Sequence, residues 1–291
     1  MCRKYKNFLN CVAQYKLLFT FVPENHLFIS MTNDDIIRSW LMQLQPISLD
    51  EMSGVKLLNR TDTKFVTSKA ELAALMEMAQ GKYFAQQIDD KRIASYETTY
   101  WDTPEHRFFI DHHNCRAPRQ KIRVRTYLDS DLTFLEVKTK NNHGRTKKKR
   151  ITVPSQERDE VIEAGGTPFI EGLTGETFDT IIPTVQNHFQ RITLVNYGKT
   201  ERLTIDFNVR FDNFETGLAA GTGDLVIIEL KRDGNVYSPI LDILRTLRIK
   251  ASGFSKYCIG SVTTNGNLKH NLFKKKLVKA SRLSHHQFII P

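Results

Sequence analysis

The segment RQKIRVRTYL (119–128) sets Lys121, Arg123 and Arg125 on alternate positions, with Ile122, Val124 and Thr126 between them. In an extended strand, alternate side chains emerge on opposite faces. This stretch therefore predicts one apolar face and one face lined with cations. The same alternation recurs. TFLEVKTK (133–140) places Glu136, Lys138 and Lys140 opposite Leu135 and Val137, and ERLTIDFNVRF (201–211) places Arg202, Thr204, Asp206, Asn208 and Arg210 opposite Leu203, Ile205, Phe207 and Val209. DLVIIELKR (224–232) sets Glu229 and Lys231 opposite Ile228 and Leu230. In RTKKKRITV (145–153), Arg145, Lys147 and Lys149 are expected on the shared face, with Lys148 and Arg150 toward solvent. Arginine forks bind phosphate oxygens bidentately and lysine supplies a point charge. Carboxylates suit a hard divalent cation with oxygen ligands. Glu136, Asp206 and Glu229 offset only part of this positive charge. Gathered on one face, such residues would hold a chain of phosphates with a metal at one end. A single open sheet with a wet basic face would give the same alternation.

The elements that must position these residues are legible in outline. Ser68 with Glu71 three residues on caps a helix over 68–83, in which Leu72, Leu75, Met76 and Ala79 keep helical spacing. Residues 93–153 read as consecutive strands, including HRFFIDHH (106–113), separated by turns at Asp102-Thr103-Pro104, Asp129-Ser130-Asp131 and Asn141–Gly144. A capped helix is expected over 155–166 and a partly helical stretch over 167–189. Strands resume at QRITLVNY (190–197), followed by helices at 238–249 and after Gly253. No repeat or low-complexity linker breaks the chain. The fold class is α+β, with roughly eight antiparallel strands, the number of a closed barrel that holds side chains or one ligand. The expected organisation is a disordered extension over 1–30, a single domain over 31–278 and a basic tail over 279–291.

Composition bounds the partners. The chain has 291 residues and a formal net charge of +10, which favours polyanionic partners. Cys2, Cys11, Cys115 and Cys258 form no CxxC pair, which fits a reducing cytosol. No segment approaches the length of a membrane span. The run before Met31 is a poor signal peptide, because charges interrupt it, and Met31 reads as the more natural start. His112-His113 and His285-His286 lack zinc-site spacing. No P-loop occurs, which argues against a Walker-type ATPase.

In order and spacing, NRTDTKF (59–65), KIRVRTY (121–127), LEVKTK (135–140), GRTKKKRI (144–151), RITLVNYGKTERLTID (191–206), IIELK (227–231) and GFSKYCIG (253–260) resemble the VTC-type domain of polyphosphate polymerases, within the triphosphate tunnel metalloenzymes. The resemblance covers roughly residues 55–262. It implies an eight-stranded antiparallel tunnel that transfers the γ-phosphate of ATP onto inorganic polyphosphate with Mn²⁺ or Mg²⁺. Carried over by motif, it implies phosphate-binding roles for Arg60, Lys64, Arg123, Arg125, Lys138, Lys149, Arg191, Arg202 and Lys256. Lys147 and Lys231 join them by strand alternation. Glu229 is implied as the metal ligand, with Glu136 as a metal-side or charge-balancing residue and Asp206 either a ligand or an arginine's partner. Gly253 departs from the eukaryotic pattern, which has lysine there. The resemblance also implies a stand-alone bacterial type, without an SPX domain or membrane helices of its own.

Two other readings follow from the same residues. A tunnel-type triphosphatase would use water as acceptor. A non-enzymatic polyanion binder would use the charge alone, although stacking aromatics on the basic strands, as in single-strand binders, are not evident in the sequence. Specific nucleic-acid recognition is not expected.

Overall fold

A computed structural model describes residues 31–53, 60–143, 145–157, 160–234 and 236–284. The expectations placed on 1–30 and on His285-His286 lie outside these residues. The main compact unit begins at Asn33. In order, its elements are α1 (Asn33–Gln43), β1 (Gln45–Ile47), α2 (Leu49–Ser53), β2 (Arg60–Ser68), α3 (Lys69–Met78), β3 (Tyr83–Gln86), β4 (Ala94–Asp102), α4 (Arg107–His113), β5 (Arg119–Tyr127), β6 (Leu132–Lys140) and β7 (Thr146–Val153). There follow α5 (Thr167–Thr174), β8 (Ile182–Asn196), β9 (Glu201–Asn213), β10 (Ala219–Gly221), β11 (Leu225–Asp233), α6 (Pro239–Thr246), α7 (Lys256–Thr264) and α8 (Lys274–Ser284).

The long strands form one antiparallel sheet in the order β2-β11-β9-β8-β4-β5-β6-β7. Short β1 and β3 pair in parallel, β3 joins β8, and β10 joins β9. The sheet is open, which corrects the expected closed barrel. Among the described residues no ladder joins β2 to β7. The free edge of β2 instead takes the segment before α7: Phe65 bridges Ala251, and the Ser252 N–H donates to the Lys64 carbonyl at 2.8 Å. The sheet still curls. Lys64 of β2 donates to the Phe254 carbonyl at 3.5 Å and Lys121 of β5 to the adjacent Ser255 hydroxyl at 2.9 Å, so strands from both halves of the sheet line a common interior.

The period of two decides which face is dry. Leu203, Ile205 and Phe207 of β9 and Val226, Ile228 and Leu230 of β11 pack outward beneath α1, α3 and α6. Ile122 and Val124 of β5, with Leu135 and Val137 of β6, pack outward beneath α5. The expected capping box is present at α3, where the Ser68 side chain and Glu71 satisfy each other's backbone N–H groups. A bulge, where His188 pairs with Arg210 but Gln190 with Phe207, inserts one residue into β9 at Asn208, whose φ is +52°. Beyond it the faces exchange. Val209 and Phe211 turn inward and join Phe189, Tyr257 and Ile259 in a second apolar cluster under α7 and α8. The inner face is therefore half dry and half polar. At Gly260 of α7 a Cβ would lie 2.5 Å from the Phe211 ring, so only glycine lets this helix sit so close to the sheet.

Residues 107–113 are helical, not the expected strand. The Asp102 carboxylate accepts from the N–H groups of Thr103, Phe108 and Phe109, which anchors the first turn. The expected helix over 155–166 is broken into a 3₁₀ turn at Ser155–Glu157 and a wide turn at Ile162–Gly166, with Gly165 at φ +103°.

Candidate phosphate-binding groove

The polar half of the inner face is built by strand register. Tyr100 lies opposite Arg123, and Thr98 opposite Arg125. Arg123 lies opposite Glu136, and Lys121 opposite Lys138. Arg191 lies opposite Asp206, Lys231 opposite Arg202, and Glu229 between Lys64 and Thr204. Paired positions of an antiparallel ladder share a face. Six strands thus direct cations into one interior. Ser255 starts α7 by accepting from the Cys258 N–H at 3.2 Å, and the same hydroxyl takes Lys121 Nζ at 2.9 Å. The helix aims Lys256 at the Asp206 carboxylate.

Three carboxylates tie these cations down unequally. Asp206 accepts from Arg191 Nε at 2.6 Å and Nη2 at 2.8 Å, and also from Lys256. Glu136 accepts from Arg123 Nε at 2.7 Å and from Lys148 Nζ at 2.7 Å. Glu229 is held more loosely, with Lys231 Nζ at 3.3 Å and Lys64 Nζ at 3.7 Å. Burial opposes ionisation at Glu229 and Glu136, yet their neighbouring cations hold both acids down to about 2. Burial, then Arg123 and Lys64, push Lys138 down to about 8. Burial pulls Lys256 to about 8 against the attraction of Asp206. Arg125 is likewise pushed down, first by burial and then by Arg123 and Arg191. Burial is the first cause of each depression, and neighbouring cations add to it at Lys138 and Arg125.

Aromatic rings floor the cations. Tyr96 and Phe189 stack with centroids 5.1 Å apart. Arg191 lies 5.0 and 5.2 Å from the two rings, and Lys256 4.2 Å from Phe189. Basic and aromatic residues thus do interleave on the inner face. Both rings are buried beneath the cations, unlike the exposed platforms that stack bases.

Residues 59–265 match the VTC domain. The chain belongs to the VTC domain family. No curated protein matches it. Among solved structures, HpAC1 from Hippeastrum, an adenylyl cyclase-type protein with a dominant triphosphatase activity, aligns at 15% identity and a TM-score of 0.47, over 72% of this chain and 97% of its own. PH1012 from Pyrococcus horikoshii aligns at 14% identity and 0.38, over 66% and 94%.

Within this VTC domain, Lys64, Arg123, Arg125, Lys138, Arg191, Arg202, Lys231 and Lys256 share the inner face with Glu136, Asp206 and Glu229. Arg60 opens β2, and its side chain lies outside the described set. Lys147 and Lys149 are corrected. They pair with Thr139 and Val137 and so share the outer face, while Lys148 and Arg150 pair with Lys138 and Glu136. Lys148 binds Glu136, and Arg150 lies 4.2 Å from the Phe134 ring. Four consecutive cations carry no period, so the sequence could not show which pair faces in. Tyr100 and Lys121 were not assigned roles from sequence. Lys121 was visible in its strand's alternation. Tyr100 reads as an ordinary core aromatic, yet it is buried against Arg123, Arg125 and Lys121, which, against the effect of burial, hold its phenol down to about 8.

A divalent metal is tested by the donors present. Among the described residues no group of three or more acidic, histidine or cysteine ligands converges. Glu136 and Asp206 have oxygens engaged by short cation contacts and fit poorly. Glu229, the loosest, fits a small hard cation that takes most of its ligands from phosphates and water.

Proposed function

We propose that this chain is a polyphosphate polymerase, transferring the γ-phosphate of ATP onto a growing polyphosphate chain in the groove. The observation that carries the reading is the inner face itself: cations from Lys64, Arg191, Arg125 and Lys138 surround one interior, with three carboxylates too few to balance them. Phosphate chains supply the anionic oxygens that such an interior lacks. Phosphoryl transfer requires alignment and charge neutralisation more than a protein nucleophile. Arg125, Lys138, Arg202 and Lys231 hold successive phosphates, while Arg191 and Lys256 are set in place by Asp206. Arg123, locked on Glu136, fixes the wall beside Arg125. A divalent cation, Mn²⁺ or Mg²⁺, when bound at Glu229, supplies further neutralisation at phosphate oxygens. ATP and polyphosphate are the proposed partners, and no helix among the described residues is long and apolar enough to cross a membrane.

The test is incubation with ATP and Mn²⁺ followed by gel electrophoresis. A ladder of long chains is expected. Orthophosphate alone would make the protein a triphosphatase. Triphosphate binding without turnover would leave a polyanion binder. Glu229→Gln should keep triphosphate binding while metal-dependent turnover falls about 100-fold or more, a loss of roughly 3 kcal/mol of transition-state stabilisation. Near-normal turnover by that variant would remove Glu229 from the reaction.

A further inference from the structure

Gly253, Phe254 and Ser255 run along the edge of β2 and into α7. Each is approached by a lysine from a different element. Ser255 Oγ accepts from Lys121 Nζ of β5 at 2.9 Å, and the Phe254 carbonyl accepts from Lys64 Nζ of β2 at 3.5 Å. Lys276 Nζ of α8 lies 3.9 Å from the point where a Cβ of Gly253 would begin. Residues 251–256, Ala-Ser-Gly-Phe-Ser-Lys, contain no acid.

Lys276 is not placed there by an ion pair. Phe273, Leu277 and Ala280 dock α8 into the inner apolar cluster, and this docking sets the direction of the lysine. Its ammonium lies 5.9 Å from the Phe273 ring, and among the described residues no carboxylate lies within ion-pair distance. Lys121 is likewise without a carboxylate in contact among the described residues, and it is destabilised first by burial and, among neighbouring charges, by Lys64. Of the three ammonium groups only Lys64 has a carboxylate nearby, Glu229 at 3.7 Å, while exposed Lys276 and half-buried Lys121 add charge that an anion over these uncharged residues would balance. Gly253 is exposed and carries no side chain, so the space over it is open.

We propose that Lys276 is a further phosphate-binding residue, forming with Lys64 and Lys121 a terminal phosphate subsite over Gly253–Ser255. The subsite rests on the reading of the groove as a phosphate-chain site. It extends that site from the sheet onto α8, and it takes the last phosphate of a linear oligophosphate. Gly253 and Lys276 then form a pair: the backbone leaves the space and the helix supplies the charge. A lysine at 253 would put its ammonium in the same space, so the charge can be relocated.

The test is calorimetric titration with inorganic tripolyphosphate at fixed ionic strength. Lys276→Ala should weaken binding about fivefold, which corresponds to roughly 1 kcal/mol for an exposed charge contact. Lys276→Arg should stay near wild type, and Lys275→Ala, one residue away on α8, should stay within about twofold. Gly253→Lys combined with Lys276→Ala should recover most of the loss. Equal affinities for Lys276→Ala and Lys275→Ala would overturn the subsite while leaving the groove intact. A wild-type chain that does not bind tripolyphosphate would overturn both the groove and the subsite.

Discussion

Strands β5 and β7 are both strongly basic, and they do opposite things with their charge. In β5 the cations alternate with Ile122 and Val124, which lock that strand over α5, so Lys121, Arg123 and Arg125 are carried into the interior. In β7 the cations Lys147, Lys148, Lys149 and Arg150 are consecutive and all exposed. Only β5 has a neighbour on both sides to complete its environment; β7 is an edge. Positive charge alone therefore does not mark a binding surface here. What marks it is positive charge forced inward by an apolar opposite face, against the cost of desolvation.

The sharpest way to break this comparison separates cations that hold the fold from cations kept for a ligand. The charged form of Arg123 is favoured despite burial, because Glu136 faces it. The charged form of Arg125 is disfavoured by burial, Arg123 and Arg191. Arg123→Met should therefore destabilise the protein by about 3 kcal/mol, since it strips a buried carboxylate of its main partner. Lys149→Met on the exposed edge should change stability by less than about 0.5 kcal/mol. Arg125→Met should leave stability level or slightly raised, yet weaken tripolyphosphate binding about 30-fold, or roughly 2 kcal/mol for a charge-assisted contact. Urea unfolding and calorimetry read the two quantities. Destabilisation by Arg125→Met as large as that by Arg123→Met would erase the distinction.

Much of this difference was legible in the sequence, and the rest was hidden for identifiable reasons. Alternation with period two gave the inner faces of β5, β6, β11 and the first part of β9, because each has β-branched or leucine residues at the intervening positions; beyond the bulge at Asn208 it put Arg210 inward and Val209 outward, the reverse of what the structure shows. It failed on β7, where no apolar residue intervenes until Ile151. Closure of the barrel was not legible. Whether β2 pairs with β7 depends on what else claims the edge of β2, and the claimant, 251–252, lies about 190 residues away in sequence. Residues 107–113 misled because Phe108, Phe109 and Ile110 favour strands locally, whereas Asp102, outside the segment, satisfies the helix start. The convergence of Lys276 on Gly253 depends on tertiary docking of α8 and leaves no sequence signal.

The second prediction uses pH to sharpen the same contrast. Lys138 and Lys256 are both lowered to about 8 from an ordinary 10.5. Above pH 8 they lose their protons in the folded, ligand-free protein while the unfolded chain keeps them. Stability contributed by these two groups should therefore rise between about pH 8 and 10, because the unfolded state binds more protons. Affinity for triphosphate should move the opposite way, since the ligand needs both ammonium groups charged. A fall of about tenfold from pH 7.5 to 9.5, with stability not falling in parallel, is the expected signature. Lys147 and Lys149 lie on the outer face, so substituting both by Met should leave the pH profile in place. A profile abolished by that double substitution would move the site to the edge strand.

The smallest effect tests the register of β7 directly. Lys147 and Lys148 are adjacent, both exposed and identical in type, so any difference between them comes from the face each occupies. Lys148 contacts Glu136 at 2.7 Å, while Lys147 sits opposite Thr139 on the outer face. The Lys148 side chain is 41% exposed, and solvent screens much of this pair. Lys148→Ala should cost about 0.5 kcal/mol, the usual range for a screened pair, and Lys147→Ala close to nothing. The difference is read from paired denaturation curves at low salt, and it should shrink at about 1 M salt, where screening extends to contact distances. Combined with Arg123→Met the Lys148 substitution should cost more than alone, because Glu136 would then lose its second partner as well. If Lys147→Ala were the costlier of the two, β7 would be shifted by one residue. Lys147 and Lys149 would then return to the inner face, and Lys148 and Arg150 would leave it.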